Sequence, residues 1–440
     1  MKYHPGRIVA IIGLAFTFTS YAQVSEEIIQ ESFFPYNDWT PTYEGYEPGV
    51  VINADNVDQY KEIIDDFTFR YIKKGWYEVR TAATTSMPLH DDYVQATRDS
   101  AQNNTLSNDG ILENFQAGRP FPQEPDSNDP NAGTKLIWNF QRSINAGDSE
   151  TIHPFWWTFR DLNKGNVERR IKFEWHFLNW QHRVMFDPQP AIEPNPGQIF
   201  RSVYGTVLEP FDLGNTQLLI QRYEDDLKRD DAWLYLGFQR RVRRLASGQI
   251  TDAFLGSDAM IEDFEGYNGR VSDYNWEYLE TKNVLMPYYS DRTQQTLDTE
   301  PANDPDGFQF IKMGGQGNCF PQNTWQLRKV HIINGTPKDA NHPLSRRVAY
   351  QDAQTGTLGM VYIYDKKDDP WKWFPICKVH SDAKGGLERN KGTGVAIDDC
   401  AVFFDEQAAH CTTLQFKSVI NAEENPAKIF NVQNMRKKGR

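Results

Sequence analysis

Ile171-Lys172-Phe173-Glu174-Trp175-His176-Phe177 alternates large apolar with polar side chains. Successive side chains of a strand point to opposite faces, so this stretch predicts a strand that buries Ile171, Phe173, Trp175 and Phe177. The same period of two recurs along the chain. Leu136, Trp138 and Phe140 share a face of one predicted strand, and Leu218 with Ile220, Trp233 with Tyr235, Val361 with Ile363, and Leu414 with Phe416 and Ile420 share faces of others. Aromatic residues make up 13% of the chain, and such side chains suit a pleated, half-buried surface. The fold class expected is mainly β (α+β), with a long, strongly curved antiparallel sheet following helices near the front.

Upstream of the strands the period changes. Val57, Tyr60, Ile63, Ile64, Phe67 and Tyr71 recur at helical spacing, with Asp55 or Asn56 to cap the start, Lys73 and Lys74 in the last turn, and Gly75 to end it. A second, more polar helix is expected between Asp92 and Gln102. Residues 187–198 and 296–307 are rich in turn formers, yet strand pattern resumes on both sides, which marks them as loops within one domain. The expected organisation is a linker-like segment at 23–54, one domain at 55–421, and a basic, solvated tail at 422–440 ending in Arg436, Lys437, Lys438 and Arg440.

Residues 1–22 read as a cleavable secretory signal. Lys2, His4 and Arg7 form a basic start, Ile8 to Phe18 an apolar run too short to span a bilayer, and Ser20-Tyr21-Ala22 a small-residue cleavage site. No Cys stands at that site to take a lipid, so the expected location is the periplasm, without a lipid anchor. The formal net charge of −13 argues against nucleic acid, whose phosphates it would repel. Export also bears on Cys319, Cys377, Cys400 and Cys411, which are expected to form disulfides in an oxidising compartment. Four cysteines allow three pairings, all left open by the sequence, with Cys400 and Cys411 able to close a short loop. Cys377 with His380 and His410 with Cys411 match none of the paired zinc spacings.

Familiar catalytic signatures are missing: there is no His-Glu-x-x-His, no Gly-x-Ser-x-Gly, no phosphate loop and no Cys-x-x-Cys. Met313-Gly314-Gly315-Gln316-Gly317 lacks a following helix pattern and reads as a tight loop, and Glu174, His176 and His182 read as ordinary strand and loop side chains. No catalytic residue, cofactor or metal is expected. What stands out is the supply of large rings, among them Phe155, Trp156, Trp157, Phe159, Trp371, Trp373 and Phe374. They predict either an aromatic core or an apolar cavity on the concave face of the sheet, lined by Leu136, Trp138, Phe140, Phe173, Trp175, Trp233 and Tyr235. Arg240, Arg241, Arg243 and Arg244 are either solvated or placed at the mouth of that cavity.

The run from Trp233 to Arg244, followed by Gly256-Ser257-Asp258 and Glu262-Asp263-Phe264, resembles a bacterial periplasmic family, domain of unknown function 1329, whose members are often labelled outer-membrane lipoprotein-sorting proteins. More remotely it is similar to the lipoprotein carriers LolA and LolB. Gly118 to Pro122, Lys135 to Phe140 and Tyr274-Asn275-Trp276 match as well, while Gly237 stands where the family usually has Pro. The resemblance implies an open half-barrel sheet with helices covering its concave side around an apolar cavity, and no catalytic residues. It also implies partners: a hydrophobic small molecule or acyl chain, a resistance-nodulation-division exporter, and an outer-membrane protein. The function expected is a periplasmic carrier or accessory protein for a hydrophobic cargo. The alternatives are a structural adaptor of an export complex with a filled core, and a hydrolase or lyase.

Overall fold

The computed structural model describes residues 23–439 apart from 238, 247–249 and 302, so the predicted signal at 1–22 lies outside the described residues. The strand predicted at 171–177 is the middle of a longer one, Val167–Asn179. The neighbours on either side extend the same alternation. β1 (Ser149–Asp161), β2 (Val167–Asn179), β3 (Ile199–Glu209), β4 (Gln217–Tyr223), β5 (Asp231–Leu236) and β6 (Arg241–Arg244) pair in succession as an antiparallel meander. A long crossing through β7 (Tyr274–Met286) leads to a second meander of β8 (Thr324–Pro337), β9 (Leu344–Asp352), β10 (Leu358–Asp365), β11 (Pro370–Lys384), β12 (Ala396–Asp405) and β13 (His410–Ile420). β13 pairs antiparallel with β1, from His410 opposite Asp161 to Ile420 opposite Glu150, and so joins the two meanders into one sheet. β7 runs antiparallel along β8, from Tyr274 opposite Pro337 to Met286 opposite Gln326. The sheet is open and curved, and does not close into a barrel.

Both faces of this sheet are covered except towards its β5–β6 edge. On one lie α1 (Glu26–Phe33), α2 (Asp66–Lys73) and α3 (Asp91–Ser100), where Phe67 stacks on Tyr362 and Tyr71 packs against Trp373. On the other lie α4 (Ala132–Gln141) and a strap of short 3-10 turns between Phe254 and Asp273. The alternation along β11 and β12 sorts the two cores. Trp373 and Phe404 belong to the first, Phe374 and Phe403 to the second. A third, smaller core holds Tyr204, Leu219 and Tyr235 beneath α5 (Val432–Lys438).

Four expectations are corrected. The segment from Lys135 to Phe140 is helical. Its period of two was only apparent, because Ile137 between the alternating residues is as buried as they are, and α4 is wrapped on several sides. Trp138 donates to the Gly110 carbonyl, and the Asn139 amide pairs both ways with the Phe121 backbone. A Cβ on Gly133 would lie 2.6 Å from the Glu277 backbone, so α4 can seat this closely on β7 only with glycine there. The helix expected from Val57 to Tyr71 breaks at Ile64, whose backbone is extended. Asp65, not Asp55 or Asn56, caps α2 by accepting from the Thr68 amide. Residues 23–54 are no mere linker, since α1 buries Ile29 and Phe33 in the first core. The tail is anchored too, by Phe430 and Met435. The second predicted helix stands as α3. Among the described residues no helix is long and apolar enough to cross a membrane.

One disulfide joins Cys319 to Cys411 and fixes the Gly-rich loop to β13. Cys377 and Cys400 are free, buried, and directly opposite each other across β11 and β12. The short Cys400–Cys411 loop is not made. These two residues sit on neighbouring strands, but Cys400 is opposite Gln415, and Phe404 is opposite Cys411.

Candidate functional site

Where the two meanders meet, the second core leaves a cavity of about 40 Å³. Its wall is built by alternation on five strands: Phe155 and Trp157 from β1, Trp175 and Phe177 from β2, Phe374 and Ile376 from β11, Phe403 from β12, and Leu414 and Phe416 from β13. The rings are ordered among themselves, with Phe155 stacked on Phe416 at 4.5 Å and Phe374 on Phe403 at 3.9 Å. Phe264 of the strap closes the cavity, edge-on to Trp175 at 5.3 Å and to Trp157 at 5.9 Å. The indole N–H groups of Trp157 and Trp175 are buried with no hydrogen-bond partner among protein atoms.

One end of the cavity is polar. Glu150, Asn145, Asp398 and Glu265 line it. Lys378 donates to both Asn145 and Asp398, and Arg201 forms a bidentate pair with Glu265 at 2.8 and 3.0 Å. Glu150 is fully enclosed. Burial, reinforced by the nearby Asp398 and Glu265 carboxylates, pushes its pKa up to about 8, so that it is mostly protonated at neutral pH and can donate a hydrogen bond.

The strap is fastened to the sheet by the acidic residues of the two motifs singled out in the sequence. Asp258 accepts from Thr412 at 2.7 Å and meets His410 Nδ1 at 2.8 Å. The hydrogen bond and charge of Asp258 raise the His410 pKa. Glu262 pairs with Arg347 at 2.7 Å, and Asp263 adds a longer contact at 3.4 Å. Flanking these anchors the backbone takes positive φ at Leu255 and Gly256 on one side and at Glu265 and Gly266 on the other, which places tight reversals at both ends of the anchored stretch. Among the described residues no group of three or more His, Cys, Asp or Glu is placed to hold a metal ion.

Of the residues expected to line a cavity, Trp175 does so. Phe173 shares its face and packs against Trp157 at 5.3 Å. Leu136, Trp138 and Phe140 project from α4 into the same core but do not line the cavity. Trp233 and Tyr235 lie on the other side of β5, in the small core under α5, while Ala232 and Leu234 at the alternate positions face the large one. A shift of one residue in a strand exchanges its faces, and nothing in that short run marks which side the helix covers. Arg240, Arg241, Arg243 and Arg244 are exposed on the β5–β6 turn and on β6, at the edge of the sheet and away from the cavity lining. Sequence reading missed Glu150, Asp398 and the closing role of Phe264. A lone carboxylate before the aromatic run of β1 was the available signal for the first.

The family described as Protein of unknown function (DUF1329) matches residues 51–436, and the chain belongs to that family. An uncharacterised protein of Pseudomonas aeruginosa is 22% identical over 354 residues, covering 77% of this chain and 70% of the relative. Two solved structures are similar. One is a putative outer membrane lipoprotein-sorting protein domain from Vibrio parahaemolyticus, with 14% identity and a TM-score of 0.47, covering 70% of this chain and 100% of that one. The other is a DUF1329 family protein from Desulfovibrio piger, with 17% identity and a TM-score of 0.46, covering 70% of this chain and 99% of that one.

Proposed function

We propose that the protein is a periplasmic carrier or accessory protein that shelters an apolar molecule, such as a lipid, a lipoprotein acyl chain or a sterol-like compound, and acts with an envelope exporter and an outer-membrane protein. The observation that carries this reading is the cavity itself. Aromatic and aliphatic side chains from both meanders converge on a space closed by one ring of a strap, with a protonated carboxyl at one end. An apolar body would gain about 0.8 kcal/mol for each methylene removed from water. A hydroxyl or carbonyl oxygen on the cargo would accept from Glu150. Pockets for small ligands usually measure about 300–1,000 Å³, far above the 40 Å³ found here, so on this reading cargo enters only as Phe264 and its neighbours lift from Trp157 and Trp175.

The same small volume favours a second reading, a structural adaptor whose core is simply filled. Titration with a fluorescent fatty acid separates the two. A carrier binds the probe saturably, and Phe264→Ala, which removes the closing ring, speeds both uptake and release. Mass spectrometry of lipids extracted from protein purified out of its own cell then identifies the cargo. Absence of probe binding in both wild type and Phe264→Ala, with no co-purifying lipid, leaves the adaptor reading.

A further inference from the structure

At the free end of the first meander three chain segments bring together features that neither the cavity nor the fold requires. The loop joining β3 to β4 carries Phe211, which is 100% exposed, beside the exposed Leu208. Against this loop sits the β5–β6 turn, where a Cβ on Gly237 would fall 2.5 Å from the Gly214 carbonyl. The end of α5 completes the group, held by Asn215 donating to the Lys438 carbonyl and Gln217 to that of Met435.

The charge here runs against the whole. The chain carries a formal net charge of −13, yet Arg240, Arg241, Arg243, Arg436, Lys437 and Lys438 are all exposed, and of these only Lys438 is drawn to a carboxylate, that of Glu174, while it lies over the Tyr204 ring. The acidic groups nearby are already engaged: Asp231 with Arg244, Asp212 with Arg169, and Glu209 with Lys172. Arginines on β6 protect an open sheet edge from pairing with another chain, and cations at the end of α5 suit its dipole. Neither role explains a ring held wholly in water beside them. A cluster of cations around a projecting aromatic side chain is what a negatively charged bilayer surface recognises, the cations meeting lipid phosphates and the ring entering the boundary between headgroups and acyl chains.

We propose that this end of the sheet is a docking surface for an anionic lipid membrane, with Phe211 as its inserted residue. The proposal does not depend on what the cavity holds. Its test uses the protein as its own cell delivers it, purified without detergent, and co-sedimentation with vesicles of phosphatidylcholine with or without phosphatidylglycerol. Binding to the anionic vesicles should exceed binding to the neutral ones by on the order of tenfold at low salt. That preference should fade as salt is raised from ~0.01 M to ~1 M and the screening length falls from about 30 to about 3 Å. Replacing Arg436, Lys437 and Lys438 by Glu should remove the preference, and Arg241→Glu with Arg243→Glu should weaken it even if one of the two variants folds poorly. Phe211→Ser, at a fully exposed site that leaves the fold untouched, should lower binding severalfold with the charges intact. Equal sedimentation with both vesicle types, or indifference to charge reversal, would overturn the proposal. Absence of binding to anionic vesicles at low salt would do the same.

Discussion

The meander from β8 to β13 is covered on both faces, whereas the one from β1 to β6 loses its cover strand by strand. In the second meander β11 spans 15 residues, 11 of them buried, and β13 spans 11, 10 of them buried. In the first, strand length falls from 13 residues in β1 and β2 through 11 in β3 and 7 in β4 to 6 in β5 and 4 in β6, where no side chain is fully buried. The disulfide and the three N-terminal helices all belong to the fully covered half. One continuous hydrogen-bonded sheet therefore carries a gradient of stability, from a doubly packed half to an edge held by one short helix. The cavity lies at the seam, where β13 meets β1.

The sharpest way to break this comparison is to damage the covered half. Trp373 is fully buried against Tyr71 and Phe320. Trp373→Ala should cost about 3–5 kcal/mol of stability, measured by denaturant unfolding. Removing the crosslink comes next. Replacing Cys319 and Cys411 by Ser frees a sequence separation of 92 residues and should cost about 2–5 kcal/mol. Thiol titration of the unfolded, unreduced wild type should then report the two unpaired cysteines, Cys377 and Cys400, and four reactive groups would mean that the bridge is absent.

The gradient was only partly legible in the sequence. Alternation located β2 and the middle of β13, because β2 places Phe173, Trp175 and Phe177 at every second position and so announces one buried face, while β1, with three successive rings at Phe155, Trp156 and Trp157, was not read as a strand. It failed wherever both neighbours of a residue are buried. Leu136-Ile137-Trp138 reads equally as a strand or as an enclosed helix, and the choice is made by Gly133 against β7, a contact remote in sequence. The face of Trp233 and Tyr235 was illegible for a related reason, since both sides of β5 are apolar and the helix that selects one side lies near the far end of the chain. The motif Glu262-Asp263-Phe264 was visible as a pattern. Its meaning was not, because the arginine that fixes it, Arg347, comes from β9. The polar end of the cavity was missed for the same cause: Glu150 and Asp398 come from different meanders.

The seam offers a pH test of intermediate size. Glu150 ionises near its ordinary value of 4.5 when unfolded but near 8 in the fold, because burial disfavours the charge. The folded state therefore holds a proton that the unfolded state gives up between these values. The resulting contribution is full below about pH 4.5 and is lost as pH rises through about 8. Glu150→Gln, which keeps the shape without the ionisation, should flatten stability against pH across this window and raise it most at the alkaline end. A variant whose melting temperature tracks the wild type at every pH between 5 and 8 would mean that the group is hydrated and titrates normally.

The smallest effect is expected at the thin edge, and it is the one that separates a gradient from a single cooperative unit. Trp233 is only partly buried, packed beside Tyr235 and the residues of α5. Trp233→Ala removes less contact than Trp373→Ala and should cost about 1–2 kcal/mol. The more telling readout is local. If β5 and β6 open by themselves, their backbone amides exchange with solvent at a free energy well below that of global unfolding, and the substitution accelerates exchange there while β11 to β13 keep their protection. If the sheet unfolds only as a whole, the amides of β5 exchange at the same free energy as those of β12, and Trp233→Ala lowers both by the same amount. Hydrogen exchange measured along the chain tells these apart without reference to any ligand. An edge that opens alone would confine its disorder to the strands farthest from the seam, and the cavity walls on β1, β2, β11, β12 and β13 would stay in place while it moved.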